Sequence, residues 1–163
     1  MAQNQTEVVL ITGASGGIGK AVAEKFAQNG YRVALHYHNG KERAEALQRE
    51  LEAQGCTVMA VQADLRESSQ AEAMIKQIEQ QWGSVDVLVN NAGVMYCQGI
   101  AETSERMLKL IMMVHMNTPL LLCRKYVNGM KERGCGYILN ISSLAAWMSW
   151  PGIGMYGNTK RFD

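Results

Sequence analysis

The sequence predicts an α/β fold, a doubly wound parallel sheet within one domain spanning residues 1–163. Three observations predict it. Short apolar, β-branched runs alternate with helical segments along nearly the whole chain. That alternation implies right-handed crossovers and a parallel sheet. A glycine-rich turn joins the first apolar run to the first helix. Finally, 163 residues with 47% apolar content suffice for one core.

Val8-Val9-Leu10-Ile11 reads as a buried strand. Thr12-Gly13-Ala14-Ser15-Gly16-Gly17-Ile18-Gly19 follows at once. Ala21, Val22, Phe26 and Ala27 then repeat at helical spacing, and Asn29-Gly30 stops the helix. Arg32-Val33-Ala34-Leu35 is the second strand. This strand–turn–helix–strand order is the context a dinucleotide-binding loop requires. Gly13 permits the tight turn, Gly17 lets backbone approach a pyrophosphate, and Gly19 allows close helix–strand packing. The N–H groups opening the helix then face phosphate.

Residues 41–54 form a second helix with Ala44, Leu47 and Leu51 inward. Residues 57–61 form the third strand, which runs into Ala63-Asp64-Leu65. Residues 68–82 carry the clearest stripe: Ala71, Met74, Ile75, Ile78 and Trp82. Val85-Asp86-Val87-Leu88-Val89 is the fourth strand and leads to Asn90-Asn91-Ala92-Gly93. Residues 104–133 read as one long helix, apolar on several faces; such a helix is buried on more than one side, so self-association is expected. Gly134-Cys135-Gly136 ends it, and residues 137–141 form the fifth strand.

Charge and cysteine content exclude several functions. The 16 basic and 15 acidic residues leave a formal charge of +1, with no footprint for nucleic acid or membrane. The start, Met1-Ala-Gln-Asn-Gln-Thr-Glu7, is polar without a basic segment. The apolar run after it is too short for a signal peptide or a membrane span. Cys56, Cys97, Cys123 and Cys135 form no C-x-x-C pair, which argues against a metal site and for reduced thiols in a cytoplasmic protein.

The chemistry concentrates near the end of the chain. Tyr156 and Lys160 are four apart, on one face if the segment is helical. An ammonium beside a phenol favours the ionised phenol. Ser143 lies past the end of the fifth strand, where open α/β sheets place their sites. The three together suggest a tuned proton donor with a hydroxyl partner; a solvated surface pair is the plainer alternative. Trp147, Met148, Trp150 and Pro151 lie between them, as pocket walls or as packing residues.

Taken together, these residues resemble the short-chain dehydrogenase/reductase family, and particularly its reductases similar to 3-oxoacyl-carrier-protein reductase. Thr12-Gly13-x-x-x-Gly17-Ile18-Gly19 looks like the family's cofactor loop, Asp64-Leu65 like its adenine-contacting turn, and Asn90-Asn91-Ala92-Gly93 like its strand-four motif. Ser143 and Tyr156-x-x-x-Lys160 look like its catalytic serine, tyrosine and lysine. The resemblance implies a Rossmann-like sheet of strand order 3-2-1-4-5. It implies hydride transfer between a nicotinamide and a small-molecule carbonyl or alcohol substrate; the homo-oligomer is expected from the long apolar helix. Tyr156 would protonate the carbonyl oxygen, Ser143 would hydrogen-bond it, and Lys160 would lower the tyrosine pKa and hold the ribose. Cofactor contacts would come from Gly13, Ser15, Gly17, Ile18, Gly19, His38, Asp64, Leu65, Asn91, Ala92, Gly93, Tyr156 and Lys160. The end of the second strand carries Tyr37 and His38, with Lys41 and Arg43 behind and no carboxylate to repel a 2′-phosphate. NADP(H) is therefore expected over NAD(H). Family members continue beyond the lysine with further strands and a substrate lid. The chain is therefore expected to be a truncated or engineered enzyme, or else a fragment that binds dinucleotide without turnover. The family also places an asparagine in the long helix, at a kink whose free carbonyl relays protons to the lysine. Counting without a gap puts His115 there; a two-residue shift puts Asn117. Pro119 has no N–H for the His115 carbonyl four residues earlier, which favours His115.

Overall fold

The computed structural model describes residues 7–148 and 150–161. The polar start at residues 1–6, Ser149, and Phe162 and Asp163 lie outside the described residues. Five parallel strands form one sheet in the order β3-β2-β1-β4-β5, as expected. The central strand is β1 (Val8–Ile11), and all four of its residues are fully buried. Successive strand residues face opposite sides of a sheet. Val8 and Leu10 accordingly enter one core, with Met74, Ile78, Leu122 and Tyr126. Val9 and Ile11 enter the other, with Ala23, Ala27, Leu47 and Leu51. A strand apolar at every position is what a sheet covered on both faces demands.

Helices α1 (Gly17–Gln28) and α2 (Lys41–Ala53) supply one layer, and α3 (Ser68–Trp82) the other, at the bounds its stripe predicts. Strand β2 (Arg32–Tyr37) runs two residues further than the apolar pattern suggests. His36 and Tyr37 pair with Val61 and Gln62 of β3 (Val58–Gln62), and both are buried. Strand β4 (Val87–Asn90) starts two residues later than expected and ends one later.

The long helix expected over residues 104–133 is two helices. α4 (Glu105–Met112) is capped by Ser104, whose Oγ accepts the Met107 N–H at 3.2 Å. A π-helical turn (Met113–Asn117) follows, and there the Thr118 N–H reaches back five residues to the Met113 carbonyl. Helix α5 (Thr118–Arg133) then runs to Gly134, which takes the left-handed conformation. Pro119 is the physical reason for the break: lacking an N–H, it cannot close the ordinary bond to the His115 carbonyl. Strand β5 (Tyr137–Asn140) is the sheet edge, with Tyr137 and Leu139 exposed. A short 3-10 turn (Leu144–Ala146) and helix α6 (Gly154–Thr159) complete the described chain. Among the described residues no helix is long and apolar enough to cross a membrane, and no cluster of metal-ligating side chains occurs.

Candidate active site

Because every strand is parallel, all five end on the same edge, and the loops after them surround one cleft. It has a volume of about 630 Å³ and is lined by Gly13, Gly17, His38, Asp64, Gly93 and Val94, among others. At one end is the glycine turn. Gly13 sits at φ +68°, and a Cβ there would lie 2.9 Å from the Ala92 Cα. A Cβ on Gly19 would lie 2.7 Å from Asn91 Nδ2 and 2.8 Å from the Ala14 Cα, so that glycine is needed for close packing. Gly17 differs: a Cβ there would meet nothing within 4 Å. It opens α1 on the cleft, beside the first-turn N–H groups that have no partner within the helix. A glycine cradle leading to a helix N-terminus fits a pyrophosphate.

The turn is locked from two sides. Thr12 Oγ1 accepts the N–H groups of Asn91 and Ala92, both at 3.0 Å, and donates to the Val89 carbonyl. Asn91 Nδ2 donates to the carbonyls of Thr12 (2.9 Å) and Gly13 (3.1 Å). The Asn91 side chain thus holds the turn itself. From the other side, His36 Nδ1 accepts the Gly13 N–H at 3.0 Å, and its Nε2 donates to the Ala63 carbonyl at 3.0 Å. The His36 carbonyl accepts the Ala14 N–H at 2.8 Å. Burial pushes the His36 imidazole down to about 4, which keeps it neutral.

Near the mouth, Arg43 Nε donates to the Ser15 carbonyl at 3.2 Å, and His38 Nε2 lies 3.5 Å from Asp64 Oδ2. Arg66 Nε donates to both Asp64 oxygens, at 2.8 and 2.9 Å. That pairing, chiefly, holds the Asp64 carboxyl down to about 2. The one acid lining this end is therefore neutralised by its neighbour, leaving His38 and Arg43 to face a ligand.

At the inner end Gly93 lines the cleft, and beside it lie His115 and Lys160, with the Tyr156 ring against His115. A Cβ on Gly93 would lie 3.3 Å from both His115 Nε2 and Lys160 Nζ. Lys160 is 5% exposed; its Nζ donates to the Ile141 carbonyl at 3.1 Å, and burial lowers its pKa. It sits at the C-terminal cap of α6 rather than inside the helix, and Ser142 Oγ donates to its carbonyl at 2.6 Å. The His115 ring meets the Tyr156 ring edge-on, centroids 5.6 Å apart. Ser143 Oγ accepts the Ala145 N–H at 3.2 Å, which caps the 3-10 turn.

His115 has a determinate tautomer. The Val94 N–H can only donate, so His115 Nε2 accepts it, at 2.9 Å. Its proton is then on Nδ1, 2.7 Å from Thr159 Oγ1. Thr159 Oγ1 in turn donates a hydrogen bond to the Tyr156 carbonyl at 2.9 Å. Burial, and then the Lys160 charge, push the His115 pKa down to about 4. Asn117, the alternative for this position, is exposed, with its Nδ2 against Met113 Sδ. The structure thus puts the His115 ring, and not the Asn117 side chain, beside Gly93 and Tyr156.

His36 and Thr159 escape the sequence reading, and Thr12 enters it only as the first residue of the cofactor-loop motif. Each acts through partners distant in sequence or through backbone groups, and a lone buried histidine on a strand reads as core. Trp147, Met148, Trp150 and Pro151 line a second, open cavity of about 680 Å³ beyond the inner end; Trp147 is 76% exposed, with the Arg161 guanidinium 5.7 Å from its ring.

The profile of the family described as short chain dehydrogenase matches residues 7–162. The chain is 36% identical over 155 residues to 3-oxoacyl-[acyl-carrier-protein] reductase FabG of Staphylococcus aureus, covering 95% of this chain and 63% of that protein. The chain thus spans somewhat under two thirds of the length of such relatives. Among solved structures, a metagenomic short-chain oxidoreductase in complex with NADP superposes with a TM-score of 0.89 at 32% identity, covering 96% of this chain and 71% of that one. A gluconate 5-dehydrogenase from Burkholderia cenocepacia, in complex with NADP and tartrate, gives 0.83 at 29% identity, covering 94% and 60%.

Proposed function

The chain belongs to the short-chain dehydrogenase family, and from that membership we propose that it is the dinucleotide-binding and catalytic portion of an NADP(H)-dependent oxidoreductase acting on a small carbonyl or alcohol. The observation that carries the reading is a cleft lined by a glycine cradle and by Gly93, with His115 Nε2 and Lys160 Nζ beside Gly93 and the Tyr156 ring against His115.

The nicotinamide supplies the hydride when bound. The chain's own residues do the rest. Gly13, Ser15, Gly17, Ile18 and Gly19 cradle the pyrophosphate, and Asp64 and Leu65 flank the adenine. Asn91 fixes the turn, with Ala92 and Gly93 forming the floor. His38 and Arg43 receive the 2′-phosphate, and Arg66 screens the Asp64 carboxylate beside them. Tyr156 gives its hydroxyl proton to the carbonyl oxygen during reduction and takes it back in oxidation. Ser143 Oγ hydrogen-bonds the same oxygen, and Lys160 holds the ribose. His115 fills the fourth position, and Pro119, four residues on, has no N–H to offer its carbonyl. Exposed Leu108 and Leu120 on α4 and α5 support homo-oligomer formation through those helices. A cytoplasmic location agrees with the four free cysteines.

The test is a titration with NADPH and NADH, followed by carbonyl reduction across a panel of ketones and 3-oxoacyl thioesters. Tighter NADPH binding with turnover supports the reading. Tight binding without turnover favours a dinucleotide-binding scaffold, and tighter NADH binding overturns the cofactor assignment.

A further inference from the structure

His36 is 2% exposed, yet it is fully engaged with the cofactor turn. Its ring accepts the Gly13 N–H and its main-chain carbonyl accepts the Ala14 N–H, so one residue holds two successive amides of the turn. Its other ring nitrogen holds the Ala63 carbonyl, immediately before Asp64 on the opposite wall of the cleft. We propose that His36 is a positioning residue for the dinucleotide: its neutral ring sets the glycine turn that receives the pyrophosphate and ties it to the turn that receives the adenine.

The geometry explains why an imidazole suits this place. Gly13 at φ +68° turns its N–H away from β1's ladder and needs an acceptor inside the protein. The Ala63 carbonyl needs a donor. A neutral imidazole is one of each, on opposite sides of a rigid ring. Held from within, the amides of Gly13 and Ala14 are withdrawn from the ligand, and those from Gly17 onward remain for phosphate. The ionisable groups facing the ring are His38 just after β2, which disfavours its protonation, and Asp64 after β3, which favours it but is paired with Arg66. Burial outweighs both.

This inference rests on the cofactor-binding reading above, and two substitutions separate them. In His36→Asn, Oδ1 can stand where Nδ1 stood and still accept from Gly13. In His36→Gln, the amide can reach the Ala63 carbonyl and the Gly13 N–H loses its acceptor. Dissociation constants for NADPH and NADH are measured at pH 7.5 for both and for the unaltered chain. His36→Asn should stay within about threefold of the unaltered chain, and His36→Gln should weaken both nucleotides about tenfold or more. Equal loss for NADPH and NADH marks the pyrophosphate turn; loss of NADPH alone would mark the 2′-phosphate end and overturn the proposal. Equal affinity of the two variants would overturn it while leaving the cofactor reading intact. Failure of the unaltered chain to bind either nucleotide would end the cofactor reading itself, and this inference with it. Should neither variant fold, amide exchange decides: a protected Gly13 N–H in the unaltered chain is expected, and free exchange overturns the proposal.

Discussion

Mild acid should destabilise this fold through two histidines. His36 and His115 each have a folded-state pKa of about 4, against 6.5 ordinarily. The sign follows from proton counting. Between those values the unfolded chain binds a proton at each site that the folded chain refuses, so stability rises with pH across the window. The contribution is fully present above about pH 6.5 and is lost progressively as pH falls toward 4. Per histidine, the loss between pH 7 and pH 5 is about 2 kcal/mol, hence about 4 kcal/mol for the pair. That is a large fraction of an ordinary domain's stability. Asp64, held down to about 2, adds its own loss only below about pH 4 and stays outside the window. The assay is urea unfolding followed by tryptophan fluorescence at pH 7, 6 and 5. The acid loss should shrink by about 2 kcal/mol in His36→Asn and by a similar amount in His115→Gln. A flat profile between pH 7 and pH 5, or a loss undiminished in the double variant, would refute the reasoning.

Three other outcomes are expected. Tyr156→Phe, in the enzyme that carries this chain, should abolish turnover and leave the NADPH dissociation constant within about twofold, because the hydroxyl acts on the reacting oxygen and the ring suffices for packing against His115; retained activity would show the tyrosine is misassigned. Arg43→Ala should weaken NADPH about tenfold or more and leave NADH nearly unchanged, read by paired titrations; equal effects on both would remove Arg43 from the 2′-phosphate site. Gly19→Ala should cost about 1–3 kcal/mol in urea unfolding, since besides the Asn91 side chain its methyl meets the Gly13 carbonyl and the Ala14 Cα, backbone atoms that cannot swing aside.

The layers of the fold are legible in the sequence where one signal dominates. Helix α3 begins and ends where its stripe predicts, because Ala71, Met74, Ile75 and Ile78 face one core without interruption. The strand order follows from the family resemblance, and parallel pairing from alternation. Two failures have physical causes. β2 outruns its apolar pattern because His36 can be buried in a strand once Gly13 and Ala63 satisfy it, and those partners lie 23 and 27 residues away. The helix over 104–133 divides because Met107 to Leu122 looks continuous in hydrophobicity while Pro119 breaks the hydrogen-bond ladder beneath it. In the site, the glycines and the tyrosine–lysine pair can be read by spacing. The use of His115's ring cannot, since it depends on where Val94 and Thr159 come together.

The position of β1 at the centre of the sheet bears on biosynthesis. Among the five described strands it is synthesised first, and one neighbour, β2, follows after a single helix. The other is remote: Val9 pairs with Val87, 78 residues later. At 5–20 residues per second, β1 waits about 4–16 s with one edge unpaired. Its four side chains are wholly apolar, so the nascent chain displays an adhesive strand throughout that interval. Trigger-factor-like holding during translation, or a slowed codon stretch that lets β1–α1–β2 settle, would matter more here than for a fold whose central strand is made last.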